Sequence, residues 1–339
     1  MALSTGPREL HVDQHLTDLA LNYRPQTYIA DQIAPVVPVQ KQRNTYVVFS
    51  RFEAFSTEDT RRAPGTQAKK VTRSVGSAFY QAENYALASD VTVEDQANMD
   101  DAYRFELDVG KSRYLINKLN LDMEKRVITL ASNTTAVSTV FVTNSAWLAT
   151  GGASGQNQGD PISQIFAMRE YMQGLVGQKP NSILIGWRAH AKLLRNYYAR
   201  QFFRGLNNGG GQVTTDMLSG IFEVDRYNVT NALWHTQNEA YGVGSPLAMP
   251  MSLQNPLADQ LILYYAPSGA SVDDPSWMYS FRWQNPALPA PITIFRHPYD
   301  TRSQVETIEA GYYQDERIVG SDYAVSLLTN VASGAAGLG

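Results

Sequence analysis

Residues 29–55 read IADQIAPVVPVQKQRNTYVVFSRFEAF, and residues 59–66 read DTRRAPGT. The first stretch begins apolar and proline-broken, becomes β-branched and aromatic, and ends charged. Pro35 and Pro38 cannot continue a helix, and each biases the residue before it toward extended backbone. Tyr46-Val-Val-Phe-Ser50 then reads as a strand, because branched and aromatic side chains suit a pleated, half-buried surface. Beyond Arg51 the chain turns polar around Ala63-Pro64-Gly65, a turn signal. A return run over 77–93 carries Phe79, Tyr80, Tyr85, Leu87, Val91 and Val93. The pattern predicts one long hairpin over 46–90, whose arms of roughly 15 residues would reach on the order of 50 Å. A disordered charged linker is the alternative, and strand-like flanks on both sides of one central turn favour the hairpin. Such a hairpin exposes more surface than its own body can cover, so the chain reads as a building block.

Upstream, residues 1–45 read as an arm punctuated by Pro7, Pro25, Pro35 and Pro38. Ile33, Val36, Val37 and Val39 make 29–39 too apolar for a solvated tail, so it is expected to lie against something. Downstream the period changes. Met99, Tyr103, Leu107, Leu115, Leu119, Met123 and Val127 fall on a four-residue row interrupted at Lys111, which is one apolar ridge of a helix. A continuous helix over 95–131 would be about 55 Å long, with Gly110 as a candidate kink. Residues 150–159 are glycine-rich but lack a Gly-Lys-Ser/Thr ending, so they read as a connector and not a phosphate cradle.

Asp160-Pro161 supplies a helix N-cap with proline at the first helical position. Ile162, Ile165, Phe166, Tyr171 and Leu175 are the expected buried face, and Gly177 the stop. A short buried strand over 182–186 precedes a basic-aromatic helix over 187–204. Strands are expected over 221–229, 260–266, 277–283 and 292–296, and two longer ones over 304–318 and 322–330. In 277–283 Trp277, Tyr279, Phe281 and Trp283 alternate with Met278, Ser280 and Arg282, which predicts a half-buried sheet edge or an aromatic contact patch, core packing being favoured. The fold class is α+β.

Composition narrows the function. The chain has 339 residues, 43% apolar and 18% charged, enough for one large or two ordinary domains. No cysteine occurs, which removes disulfides, thiolate metal sites and thiol nucleophiles and fits a reducing cytoplasm. Neither a signal peptide nor a run of about 18 apolar residues is present. A net charge of −4 argues against a protein whose main work is gripping nucleic acid, which needs a clustered basic face. The 19 tyrosines suit wide interfaces, where the ring is buried and the hydroxyl finds a partner, and suit a β-rich core equally well.

Catalytic constellations are absent from the sequence pattern. His11 and His15 have i, i+4 spacing but no accompanying acidic motif. His190, His235 and His297 have no local partner that would define a triad or an acid–base pair. Asp100-Asp101 and Asp273-Asp274 are adjacent rather than face-matched, so solvated carboxylates are the expectation. No cofactor or metal is expected.

Residues 19–38, 46–55, 59–65 and 303–331 together resemble major capsid proteins of tailed bacteriophages, which share the Hong Kong 97-type capsid fold. The resemblance covers most of the chain by the order of its parts. It implies an N-terminal arm over 1–45, an extended E-loop hairpin over 46–90, a peripheral domain with a long spine helix over 91–160 and 300–320, and an axial domain over 161–299 and 321–339. It implies hexamers and pentamers closing into an icosahedral shell around packaged double-stranded DNA, with loose, non-specific DNA contact. On this reading the charged hairpin tip, with Arg51, Glu58, Asp59, Arg61, Arg62, Lys69, Lys70 and Arg73, lies over a neighbouring subunit, and residues 1–39 reach across another. A fused scaffolding segment would precede the arm, so a separate scaffolding protein is expected, with a portal and a decoration or cement protein as further partners. Some members cross-link a hairpin lysine to an asparagine on a peripheral strand; here no asparagine lies between Asn285 and Asn330, so a non-covalent shell is expected. The expected location is the virion capsid, assembled in the host bacterial cytoplasm. Two other classes stay open: a nanocompartment shell of the same fold, and a carbohydrate-binding or carbohydrate-processing protein using the 277–283 aromatics.

Overall fold

The computed structural model describes residues 11–12, 28–49, 57, 59–71, 75–97, 104–142, 147, 159–206, 213–235, 253–269, 274–285, 292–300, 302 and 304–329. In chain order the elements are β1 (His11–Val12), α1 (Ala30–Ile33), β2 (Val36–Val39), β3 (Arg43–Phe49), β4 (Val75–Gln81), β5 (Glu83–Thr92), α2 (Val93–Ala97), α3 (Arg104–Ser132) and β6 (Thr139–Val142). There follow α4 (Pro161–Val176), β7 (Ser182–Gly186), α5 (Trp187–Arg195), α6 (Tyr197–Leu206), α7 (Thr215–Phe222), β8 (Arg226–Thr230), β9 (Trp234–His235) and β10 (Leu253–Gln254). The last strands are β11 (Gln260–Tyr264), β12 (Met278–Trp283), β13 (Thr293–Arg296), β14 (Val305–Ile318) and β15 (Ala324–Leu328). Among the described residues no helix is long and apolar enough to cross a membrane.

Two sheets carry the body. The larger runs β1-β13-β14-β12-β2, with β5 also paired to β14. The smaller runs β6-β15-β11-β7-β8. The 14-residue β14 is long enough to serve several partners: its first ten residues face β5, its centre β13 and its last five β12. Strand pairing therefore divides the chain differently from the order of segments. β12 and β13, which fall within the expected axial range, pair in the sheet that holds β14, while β6 pairs with β15.

The 29 residues of α3 make a rod about 43 Å long at 1.5 Å per residue. Leu115, Leu119, Met123 and Val127 of the predicted ridge are buried, with Ile116 and Ile128 beside them. The N-terminal part of this face packs with Val91, Ile294, Ile308 and Tyr312 over the larger sheet. The C-terminal part meets Ile29, Ile33 and Ala34 on one side and Ile262, Tyr264 and Trp277 on the other. The helix runs through Gly110 without a break. Residues 98–103, including Met99 and Tyr103, lie outside the described residues, and α2 occupies Val93–Ala97.

Around the smaller sheet several expectations hold and several change. Asp160 caps α4 by accepting from the Ile162 N–H, Pro161 stands at its start, and Gly177 ends it in the left-handed conformation at φ 72°. Only glycine takes that conformation without a Cβ penalty. The buried face of α4 is Ile162, Ile165, Met168, Met172 and Val176, whereas Tyr171 is exposed. The single helix expected over 187–204 is two, because the buried Asn196 turns extended and its Oδ1 accepts from the N–H groups of Tyr198 and Ala199. The strand expected from 221 begins only at Arg226, since Thr214 caps a helix through Phe222 by accepting from the Met217 N–H. The aromatic run is core on both faces: Trp277, Met278, Tyr279, Ser280 and Phe281 are all buried. Trp277, Tyr279 and Phe281 therefore offer no face for a sugar to stack on, and the half-buried Trp283 packs edge-on against Tyr313 (5.1 Å).

Candidate functional site

Two features stand out, a ribbon that leaves the body and the point where the N-terminal segment is fastened to it. The ribbon is β3 paired antiparallel with β4, in register from Arg43 opposite Gln81 to Phe49 opposite Val75. Its base is anchored by aromatic packing. Tyr80 stacks on Phe281 with ring centroids 4.7 Å apart, and Tyr46 meets the same ring at 5.1 Å. Val37, Val39 and Tyr279 complete this cluster. Polar contacts fix the exit angle: the Gln81 N–H donates to Asp315 Oδ2 (2.8 Å), and Ala82 N–H donates to the Gln42 carbonyl (2.8 Å).

The hairpin thus ends at Ala82, shorter than the 46–90 span the sequence predicts. The return run over 77–93 is two strands, and β5 pairs with β14 from Thr92 opposite Val305 to Glu83 opposite Gln314. Ala82 is fully buried at the junction, where the chain passes from the ribbon into the body sheet.

Beyond the base the described residues of the ribbon tip form no core of their own. Residue 57 and all of 59–71 are exposed. The turn forms as read: Thr66 N–H donates to the Ala63 carbonyl (3.3 Å) and Gly65 sits at φ 82°, the positive φ that the third position of a type II turn requires after proline. Asp59 Oδ1 accepts from the Arg61 N–H (3.0 Å), and Arg62 Nε donates to the Thr66 carbonyl (2.6 Å). Asp59, Arg61, Arg62, Lys69 and Lys70 are thus gathered on an exposed tip; Arg51, Glu58 and Arg73 lie outside the described residues.

The second feature was not read from the sequence. Residues 28–39, expected to reach across a neighbour, are built into their own subunit. Ile29, Ala30, Ile33, Ala34, Val37 and Val39 are buried, and burying an Ile or Val side chain contributes about 1.5–3 kcal/mol. β2 pairs parallel with β12. Glu124 of α3 holds the start of this segment: its Oε2 accepts from the N–H groups of Ile29 (3.0 Å) and Ala30 (2.7 Å). Glu124 is 0% exposed, and its Oε1 has no hydrogen-bond partner among the described residues. Burial pushes its pKa up to about 7, against the two N–H groups that lower it, and the Asp31 charge adds to the rise.

A polar chain runs on from there. Asp31 lies 4.0 Å from Arg282, which donates to Gln314 Oε1 from Nε (3.0 Å) and from its terminal nitrogen (2.6 Å). Gln314 Nε2 donates to Glu316 Oε1 (3.1 Å). Arg126 of α3 grips both Glu316 oxygens (3.1 and 2.8 Å), donates to the Tyr312 hydroxyl (2.9 Å) and lies 3.7 Å over the Tyr85 ring. Asp122, one turn back on α3, also contacts Arg126.

Among the described residues the histidines do not assemble a reaction centre. His190 Nδ1 lies 2.9 Å from the Tyr227 hydroxyl, where burial lowers the histidine pKa. His297 Nε2 lies 2.6 Å from Glu309 Oε2. The side chains of His11 and His235 and all of His15 lie outside the described residues. Among the described residues no group of three His, Cys, Asp or Glu side chains could hold a metal ion.

No protein-family model matches the chain. It is 25% identical over 238 residues to the major capsid protein of Burkholderia phage BcepMu, across 68% of this chain and 72% of that protein. In structure it is similar to a phage-related protein from Bordetella bronchiseptica RB50, with a TM-score of 0.71 at 19% identity, covering 96% of this chain and 99% of the other. It is also similar to the capsid of cyanophage P-SCSP1u, with a TM-score of 0.53 at 12% identity, covering 97% and 93%. The chain therefore has the mixed α+β fold of phage capsid proteins, and its sequence is similar to that of a phage major capsid protein.

Proposed function

We propose that this chain is a major capsid protein of Hong Kong 97 type, whose copies assemble as hexamers and pentamers into an icosahedral shell around packaged double-stranded DNA, with no catalytic role. The observation that carries the reading is the β3–β4 ribbon: its base is anchored in the body by aromatic stacking, but its tip, exposed at every described residue, adds no buried surface to its own subunit. On this reading α3 is the spine, the larger sheet belongs to the peripheral domain, and the smaller sheet with α4 to α7 is the axial domain. The ribbon corresponds to the E-loop, and Asp59, Arg61, Arg62, Lys69 and Lys70, together with Arg51, Glu58 and Arg73, contact the adjacent subunit. Scaffolding, portal and decoration proteins are the further partners, and packaged DNA touches the shell loosely.

Charge reversal at the tip tests this. Arg61→Glu with Arg62→Glu is expected to leave circular dichroism and melting of the free subunit near wild type while reducing closed particles in sedimentation. An exposed ion pair contributes only about 0–1 kcal/mol, but each contact recurs in every subunit of a shell. The residual particles are expected to be more salt-sensitive, since exposed pairs are screened. Normal particle yield at both low and high salt would remove the ribbon tip from the interface. A nanocompartment shell differs in cargo, so particle diameter and nucleic-acid content separate it from a capsid.

A further inference from the structure

We propose that Glu124 is a proton-operated latch that fastens residues 28–39 to the body of their own subunit, tight when the carboxyl is neutral and loose when it is ionised. This inference concerns one chain's own packing and does not depend on the shell reading.

The geometry suits a neutral carboxyl. With the proton on Oε1, Oε2 is a carbonyl oxygen whose two lone pairs match its two donors, the N–H groups of Ile29 and Ala30; the Oε1 hydroxyl then lacks an acceptor among the described residues, but a buried unpaired hydroxyl costs less than a buried charge. Ionisation would instead leave a fully buried charge whose second oxygen has no donor among the described residues, an arrangement that burial strongly disfavours. The charged groups around it do not relieve the cost. On α1, Asp31 is negative and turned toward Arg282 of β12. Arg282 in turn donates to Gln314. On α3, Lys125 is exposed, while Arg126 and its companion Asp122 belong to the Glu316 cluster. What the latch secures is continuous with α3, since Ile29, Ile33 and Ala34 pack in one cluster with Met123, Val127 and Ile128.

The sign follows from linkage. A carboxyl whose pKa is raised in the docked state keeps its proton there after the undocked segment has lost it. Docking is therefore strongest below the ordinary carboxylate range, weakens as pH rises from there to about 7, and is level above that. Hydrogen exchange of the full-length chain between pH 5 and 8.5, corrected for the chemical exchange rate, measures this directly. Protection of peptides covering 28–39 is expected to fall by up to about tenfold per pH unit between pH 5 and 7, while β7 and β11 peptides keep theirs. Glu124→Gln retains the carbonyl acceptor without the titration, and its 28–39 protection is expected to be flat with pH. A wild-type segment whose protection ignores pH overturns the latch, as does a fall that β7 and β11 share. An equal slope in wild type and Glu124→Gln also overturns it. The wild-type profile decides the matter even where the variant folds poorly.

Discussion

Arg126 and Glu316 face each other with side chains 20% and 6% exposed, and the consequence of breaking the pair is asymmetric. Removing the cation strands a carboxylate inside, which costs about 3–5 kcal/mol, whereas the intact pair is weak evidence of net stabilisation. Arg126→Ala is therefore expected to lower the denaturant midpoint of the free subunit substantially, and adding Glu316→Gln to recover part of the loss; a single-variant change below about 1 kcal/mol would show that water already reaches Glu316. Leu119 represents the other kind of buried residue. Leu119→Ala is expected to cost about 2–5 kcal/mol, read as a lower melting temperature before any assembly is attempted, and unchanged melting would mean the ridge is exposed. Leu119 was legible because helical periodicity is local. Arg126 and Glu124 were not, because their partners lie 190 and about 95 positions away in sequence. One local hint existed: one turn on from Glu124 stands the buried Ile128, and Met123 and Val127 beside them are buried too, and an acid beside an apolar ridge is a candidate for a buried, partnered carboxylate.

Among elements, what could be read was whatever a short signal specifies. The Pro64-Gly65 turn, the Asp160-Pro161 cap and the Gly177 stop each fix backbone geometry within a few residues, and each is found where the sequence placed it. What could not be read was the choice of partner. Residues 75–92 are strand-forming throughout, and only the pairing of β4 with β3 and of β5 with β14 divides them at Ala82. Asn196 shows how a single polar residue can override a helical pattern. Its side chain caps α6 through Oδ1, and its Nδ2 donates to the Gly159 carbonyl (3.1 Å) from a fully buried site. Asn196→Ala removes the cap and is expected to cost about 0.5–2 kcal/mol, measured as a shift in thermal unfolding of the subunit; an unshifted transition would mean that another group caps the helix. The docked 28–39 segment was misread for a related reason. Its proline-rich, extended character says that it is not a long helix, but not whether the surface covering Ile29 and Ile33 is its own or a neighbour's.

For the whole molecule, the contrast between a packed body and a ribbon tip exposed at every described residue is what points to assembly. Neither cysteine nor an asparagine between Asn285 and Asn330 is available for covalent linkage, so boiled, SDS-treated particles are expected to release this chain at its monomer mass of 37.6 kDa. A ladder of larger species that survives denaturation would contradict a non-covalent shell. The aromatic strand, which left a sugar-binding reading open in the sequence, closes it in three dimensions because Trp277, Tyr279 and Phe281 are buried. Assembly itself is decided most directly by electron microscopy of the particles formed by the full-length chain. The expected image is a closed icosahedral shell in which each β3–β4 ribbon lies over an adjacent subunit; a chain that stays monomeric, or a particle whose ribbons touch only their own bodies, would contradict it.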